Sequence, residues 1–187
     1  EAGNRCFDQR VPEELNRKII DHLSDINFVL SEHARRYLLA EGIKPETIIH
    51  SGSHMEEVFN FYGKSITNSE ILKTLNLKQN HYLIVSAHRE ENVDVDENLS
   101  LLIEGLERLQ IEFDVPVIVS THPRTRKRLE ALNPNLDLKN IKFLKPFGFF
   151  DYIQLQKNAL CVISDSGTIF EESSLLDLAA VTMREAH

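Results

Sequence analysis

The sequence predicts an α/β protein built on a parallel sheet with helices on both faces. From residue 82 onward, apolar runs alternate with segments of helical period, and the runs lie at residues 82–87, 117–120, 141–144, 160–164 and 180–183. The clearest helical segment carries its apolar residues on one side: Leu99, Leu102, Ile103, Leu106 and Leu109. Strands buried on both faces are continuously apolar, and their alternation with amphipathic helices is typical of a parallel sheet.

Residues 1–63 do not follow this alternation. Short strands are predicted at residues 26–30 and 48–49, and Ser31 is placed to cap the helix between them. We place a hinge over residues 63–68, where Thr67 and Glu70 form a capping box for the next short helix. Residues 1–63 are therefore interpreted as the remnant of a preceding domain with its connection, and residues 64–187 as a second, incomplete domain.

The first predicted helix covers residues 11–23. Pro12 suits its first turn, and Glu13 and Glu14 complement the positive end of its dipole. Helical spacing gives the segment one apolar stripe, formed by Leu15, Ile19, Ile20 and Leu23.

The composition excludes several classes of protein. The 187 residues carry a formal net charge of −8, which argues against an extended nucleic-acid surface. No apolar run approaches the roughly 20 residues that span a bilayer, so we expect no membrane insertion. Cys6 and Cys161 lie far apart and are interpreted as reduced thiols of a cytoplasmic protein. The first and last residues have the character of a piece of a longer protein.

Polar side chains follow the predicted strands at their carboxyl ends. They occupy residues 86–92, 120–126, 145–152 and 165–168, and they include histidines, arginines and aromatic rings. Carboxyl ends of parallel strands meet at one edge of a sheet, which is where open α/β sheets bind ligands. Arginines and a helix end can hold phosphates while aromatic rings face a base, so the sequence predicts a nucleotide-diphosphate pocket.

The turn Asp165-Ser166-Gly167-Thr168 opens a helix directly after a buried strand. Backbone N–H groups at a helix start favour a phosphate, and Glu172, further along the helix, can accept hydrogen bonds from a ribose. The alternative is an ordinary turn in which Ser166 or Thr168 is the N-cap. The sequence around it lacks the Gly-x-Ser-x-Gly pattern of a serine hydrolase.

Four further residues are candidates for contact with the ligand. His88 and Arg89 follow the first strand, and Tyr152 combines an aromatic ring with a polar tip. His122 follows the second strand, where a structural or merely exposed histidine is the alternative. A metal site is not expected, because no His-Glu-x-x-His helix or paired-cysteine motif is present.

Together these motifs resemble those of the non-hydrolysing UDP-N-acetylglucosamine 2-epimerases. The matching stretches, in the family's order, are Glu1-Ala-Gly-Asn-Arg5, Pro12-Glu-Glu-Leu-Asn-Arg17, Ser86-Ala-His-Arg-Glu-Glu-Asn92 and Asp165-Ser-Gly-Thr-Ile-Phe-Glu-Glu172. The resemblance implies two Rossmann-like domains in the glycosyltransferase-B arrangement, the second of which binds UDP. Residues 6–12 and 120–124 look closest to the capsule and O-antigen branch that forms UDP-N-acetyl-L-fucosamine.

The resemblance also implies roles for individual residues. Glu1 and Glu13 would be the carboxylates at the sugar, and His88 would assist the departing diphosphate. The phosphates would be held by Ser166, Gly167 and Thr168, the ribose by Glu172, and the uracil pocket would be lined by Tyr152. No metal, nicotinamide or other cofactor is implied, and a homodimer is expected.

The implied reaction inverts C2 of a UDP-2-acetamido sugar by elimination and re-addition of UDP. Motifs of the family that lie upstream of Glu1 and after His187 are not in this chain, so we expect it to be inactive by itself. Three alternatives stay open: a UDP-sugar-dependent glycosyltransferase of the same fold, a non-catalytic UDP-sugar-binding protein, and the hydrolysing branch that releases N-acetylmannosamine.

Overall fold

The computed structural model describes residues 1–88, 95–121, 128 and 140–183, which form two compact units, Glu1–Asn60 and Phe61–Met183. The first unit contains helices α1 (Pro12–Leu23) and α2 (Glu32–Ala40), a 3-10 turn (Pro45–Thr47) and the start of α3 (Met55–Thr67). Its strands β1 (Asn27–Val29) and β2 (Ile48–His50) pair in parallel. Its apolar core comprises Val29, Ala34, Leu38 and Ile48.

Helix α2 begins as the sequence predicts. The Ser31 hydroxyl accepts a hydrogen bond from the Ala34 backbone N–H at 3.2 Å, which satisfies one of the unpaired donors of the helix start. The predicted strands at 26–30 and 48–49 are also present as β1 and β2.

Helix α1 is present, but it buries its polar side. The side chains of its apolar stripe, Leu15, Ile19, Ile20 and Leu23, are between 45% and 80% exposed, whereas Glu14 and Asp21 are buried. The reason is the hydrogen bonding of the preceding segment. Glu14 accepts from the Cys6 backbone N–H at 2.9 Å, and Asp21 accepts from that of Gly3 at 2.9 Å.

The predicted capping box is wrong, and residues 63–67 of the predicted hinge are helical. Gly63 to Thr67 form the last turns of helix α3, and the Thr67 hydroxyl donates to the Gly63 carbonyl at 2.9 Å within that helix. The next helix, α4 (Ile71–Leu75), has Glu70 at its N-cap position without a side-chain cap bond. Its first backbone N–H, that of Ile71, instead donates to the Ser69 hydroxyl at 3.2 Å.

The second unit is the predicted parallel sheet. Strands β3 (Leu83–Ser86), β4 (Val117–Ser120), β5 (Ile141–Leu144), β6 (Cys161–Ser164) and β7 (Ala180–Thr182) pair in parallel in the order β5-β4-β3-β6-β7. Its remaining described helices are α5 (Asp96–Phe113), α6 (Phe149–Asn158) and α7 (Ile169–Leu176). All five strands coincide with predicted runs, so the predicted fold class is confirmed.

The two faces of the sheet carry separate apolar layers. On one face, Leu106 of α5 packs against strand residues such as Val85 and Val119. On the other, Leu155 of α6 and Ile169 of α7 belong to the cluster that contains Ile84 of β3. Alternate residues of the strands thus belong to opposite layers, as the pleat of the sheet requires.

Candidate functional site

The candidate site lies where the carboxyl ends of β3 and β6 meet. The chain runs from β3 to β4 and β5 and then returns to place β6 on the other side of β3, with Ser86 opposite Ser164. Ligands of open α/β sheets bind in the crevice at such a reversal of strand order. His88 follows β3, and the turn Asp165-Ser166-Gly167-Thr168 follows β6, so the sequence places both at this crevice.

Asp165 joins the two strand ends. Its side chain is fully buried, its backbone N–H donates to the Ser86 carbonyl at 3.1 Å, and its Oδ2 accepts from the His88 backbone N–H at 2.9 Å. Nδ1 of the His88 ring lies 2.8 Å from Oδ1, while the His88 side chain is 55% exposed. Sequence reasoning did not assign Asp165 a role. Its position as the first residue after a buried strand was the available signal.

The hydroxyls of the turn bind one another and the turn's own backbone. The Ser166 Oγ accepts from the Thr168 backbone N–H at 3.3 Å and lies 2.9 Å from the Thr168 Oγ1. Thr168 occupies the N-cap position of α7, but its side chain makes no cap bond among the described residues. Thr168 is thus the N-cap residue by position, as the alternative expected, but without the side-chain bond of a capping residue, and Gly167 is exposed at the tip of the turn.

Glu172 is a buried carboxylate held by two neutral donors. The Thr168 Oγ1 donates to Oε1 at 2.7 Å, and Gln156 Nε2 donates to Oε2 at 2.7 Å. Gln156 comes from α6 and is itself 1% exposed. No motif singled out Gln156, because its function depends on the packing of α6 against α7. The one signal was its spacing of four residues from Tyr152, on the same side of a helix.

Tyr152 lies in the first turn of α6 and is partly buried against the layer that contains Ile84. The pKa of its hydroxyl is raised to about 12, chiefly by burial and also by the negative charges of Glu172 and Asp165, while hydrogen bonding to Ser86 and Gln156 acts in the opposite direction. The structure therefore brings Tyr152, Gln156 and Glu172 into one group.

The two carboxylates assigned by resemblance to the sugar lie in the first unit. Glu1 is 61% exposed and forms a salt bridge of 2.7 Å with Arg17, and Glu13 is exposed in the first turn of α1. Other residues of the same motifs are structural. Arg5 is buried, with an Nε–Oε1 distance of 2.7 Å to Glu41 and an Nη1–Oδ2 distance of 2.8 Å to Asp21.

Two predicted site residues, Arg89 and His122, lie outside the described residues. Within the described ranges, no group of three or more histidine, cysteine, aspartate or glutamate side chains is placed to hold a metal ion. In the same ranges, every helix is too short or too polar to cross a membrane.

Comparison with known protein families shows which family this chain belongs to. A sequence model described as UDP-N-acetylglucosamine 2-epimerase matches residues 1–187, the full length of this chain. The chain belongs to the UDP-N-acetylglucosamine 2-epimerase family. The resemblance inferred from the motifs is thereby confirmed.

Named members of this epimerase family match along nearly the whole chain. A UDP-N-acetylglucosamine 2-epimerase from Methanocaldococcus jannaschii is 35% identical over 99% of this chain and 52% of the relative. A UDP-2,3-diacetamido-2,3-dideoxy-D-glucuronate 2-epimerase from Pseudomonas aeruginosa is 33% identical over 99% of this chain and 51% of the relative. The chain thus spans about half the length of the curated relatives it matches.

Solved structures of 2-epimerases share the fold. The enzyme from Rickettsia bellii is 52% identical with a TM-score of 0.89, over 100% of this chain and 49% of that one. The Methanocaldococcus jannaschii UDP-GlcNAc 2-epimerase, in complex with UDP-GlcNAc and UDP, is 34% identical with a TM-score of 0.86, over 100% of this chain and 52% of that one.

Proposed function

We propose that the whole protein carrying this chain is a 2-epimerase of a UDP-2-acetamido sugar, and that residues 61–183 supply its UDP site. The observation that carries the proposal is the convergence of His88, the 165–168 turn and Glu172 at the reversal point of the sheet. This is where an α/β sheet binds a nucleotide, and the stretches that resemble the family's motifs contain these same residues.

The UDP moiety fits the chemistry of the group. The diphosphate is bound by Ser166, Gly167 and Thr168 at the start of α7, where backbone N–H groups and the helix dipole favour negative charge. The ribose hydroxyls donate to Glu172, whose carboxylate keeps acceptor capacity beyond the bonds from Gln156 and Thr168. The uracil lies toward Tyr152. A relative that is 34% identical was crystallised with UDP-GlcNAc and UDP, which supports this choice of ligand.

In the proposed reaction, a base removes the proton from C2 while the bond between C1 and the diphosphate oxygen breaks. The electron pair leaves with UDP, and a 2-acetamidoglycal with a C1–C2 double bond remains. UDP then adds back to C1 while a proton reaches C2 on the opposite face. Glu1 and Glu13 serve as the acid and base groups at the sugar, and His88 stabilises the departing diphosphate.

The proposed substrates are UDP-GlcNAc with its manno epimer, or UDP-2-acetamido-2,6-dideoxy-L-talose with UDP-L-FucNAc. Relatives are named for UDP-N-acetylglucosamine and for a UDP-diacetamido sugar, which supports considering more than one hexose. We further propose a cytoplasmic homodimer that serves bacterial surface polysaccharide synthesis, as for the family branch that residues 6–12 resemble.

The direct test offers each UDP sugar to the purified whole protein, with and without an acceptor sugar, and separates the products by chromatography. We expect the C2 epimer of one of the two UDP sugars to accumulate without an acceptor. Transfer that requires an acceptor would indicate a glycosyltransferase, free N-acetylmannosamine would indicate the hydrolysing branch, and binding without turnover would indicate a sensor. Each of these outcomes contradicts the proposal.

A further inference from the structure

We propose that Gln156 positions Glu172 and thereby determines how strongly the nucleotide site prefers ribose to 2′-deoxyribose. The inference rests on the proposed function, since it takes Glu172 as the group that binds the ribose. It goes further by assigning a role to a residue that none of the family's matching stretches contains.

The contact between Gln156 and Glu172 joins two helices. Gln156, on α6, is 1% exposed, and Glu172, in the first turn of α7, is 9% exposed. The Nε2–Oε2 distance is 2.7 Å, at the short end for a bond to a charged acceptor. Because the Thr168 Oγ1 holds the other oxygen at 2.7 Å, one donor on each oxygen fixes the plane of the carboxylate.

The fixed plane determines where the remaining acceptor sites point. An ionised carboxylate offers about four lone-pair sites, and the two protein donors use one on each oxygen. Both donors are neutral, so the negative charge of Glu172 stays available to hydroxyl donors of a ligand. A 1,2-diol presents two such donors side by side, whereas a 2′-deoxy sugar presents one.

The orientation of the Gln156 amide is set by Glu172. The amide's Oε1 is buried and makes no aligned hydrogen bond among the described residues. Rotating the amide by half a turn would place this oxygen against the carboxylate, where two acceptors repel each other. The described contacts therefore set the amide so that its nitrogen donates to Glu172.

The test compares UDP with 2′-deoxy-UDP by calorimetry on the whole protein. We expect the wild type to prefer UDP, Glu172→Gln to lose this preference, and Gln156→Met, which keeps the side-chain length but removes the donor, to weaken UDP binding by roughly tenfold. The ratio of the two dissociation constants then falls toward one in Gln156→Met. Gln156→Leu is a second variant with the same expected ratio, should Gln156→Met fail to fold.

Gln154→Leu is the matched control, because Gln154 lies on the same helix and is half-buried, whereas the side-chain hydrogen bonds described for Glu172 come from Gln156 and Thr168. It should keep the wild-type preference. A Gln156→Met protein that also keeps the preference would overturn the inference while leaving the proposed function intact. A wild type that does not bind UDP would contradict the proposed function itself.

Discussion

The carboxylate of Asp165 holds His88 at two points, with Oδ2 accepting from the His88 backbone N–H at 2.9 Å and Oδ1 lying 2.8 Å from the ring Nδ1. A proton on Nδ1 is favoured at this distance, because a carboxylate oxygen and a bare ring nitrogen repel each other through their lone pairs. In the proposed role Nε2 also carries a proton and donates to the departing diphosphate, and the Asp165 carboxylate stabilises the positive charge of the ring.

Asp165→Asn should force His88 into the other tautomer. The backbone N–H of His88 can only donate, so the asparagine must turn its carbonyl toward it, which leaves the side-chain NH₂ facing Nδ1. Nδ1 must then act as an acceptor, and the proton moves to Nε2. NMR of the whole protein with ¹⁵N-labelled histidine would show whether Nδ1 or Nε2 carries the proton. The signal of His88 is identified by its absence from the spectrum of His88→Gln. We expect kcat to fall by roughly 100-fold, because the ring loses the carboxylate that stabilises its positive charge opposite the departing diphosphate.

Asp177→Asn is the control for this experiment, because Asp177 is the exposed C-cap residue of α7 with φ 53, a conformation that asparagine tolerates. It should leave both the tautomer and kcat unchanged. Observation of the Nε2-protonated tautomer in the wild type at a pH where the ring is neutral would contradict the interpretation without any variant.

Arg5→Ala should destabilise the protein strongly. The buried guanidinium bonds both oxygens of Glu41 at 2.7 Å and contacts Asp21 at 2.8 Å, so its removal leaves the buried Asp21 carboxylate without this cation. Breaking a buried ion pair from one side typically costs about 3–5 kcal/mol. Urea denaturation would measure the loss, and Arg10→Ala, at an exposed arginine paired with Asp8, should change the unfolding midpoint little. Equal effects of the two variants would contradict the structural role of Arg5.

Gly3→Ala and Gly42→Ala separate crowding from backbone strain. Both glycines have positive φ, at +77° and +87°, but an added Cβ at Gly3 would lie 2.3 Å from the Ala34 carbonyl oxygen, while none of the described atoms comes within 4 Å at Gly42. Both variants carry the strain of an L-residue at positive φ, which costs about 1–2 kcal/mol. Gly3→Ala should cost more, as judged by the melting temperature. A smaller loss for Gly3→Ala than for Gly42→Ala would show that α2 moves away freely.

Stability should fall in mild acid because of Glu41. Its hydrogen bond to Arg5 lowers the pKa of the Glu41 carboxyl below the ordinary 4.5. A depressed folded-state pKa adds stability that is present above the unfolded value and lost as the pH falls below it. The free energy of unfolding should therefore decrease between about pH 5 and pH 3. Glu41→Gln should reduce this decrease when urea unfolding is followed across the same range. An unchanged pH dependence would contradict the linkage.

The sequence predicted the parallel sheet well because its strands are buried on both faces. β4 and β5 coincide with the predicted runs, since a continuous apolar stretch between polar ends leaves few alternatives. The orientation of α1 could not be predicted from its period. Its buried side carries Glu14 and Asp21, and only the hydrogen bonds from residues 3–6 make the burial of these acids favourable.

The motifs mixed catalytic candidates with structural residues. Within Glu1-Ala-Gly-Asn-Arg5, Gly3 is required by the approach of Ala34, and Arg5 by its buried ion pairs. The motif by itself does not separate catalytic residues from structural ones. Asp165 and Gln156 were missed for a related reason, because their contacts join segments that are distant in sequence.

The most direct test of the proposed epimerase follows C2 of the sugar. The whole protein is incubated in deuterated water with UDP-N-acetylglucosamine and, in a separate sample, with UDP-2-acetamido-2,6-dideoxy-L-talose. Proton NMR spectra of both samples are recorded. We predict that one of the two acquires deuterium at C2 as its epimer appears, and that Glu13→Gln abolishes the exchange. Epimer formation that retains the original C2 proton, or no exchange with either sugar, would contradict the account.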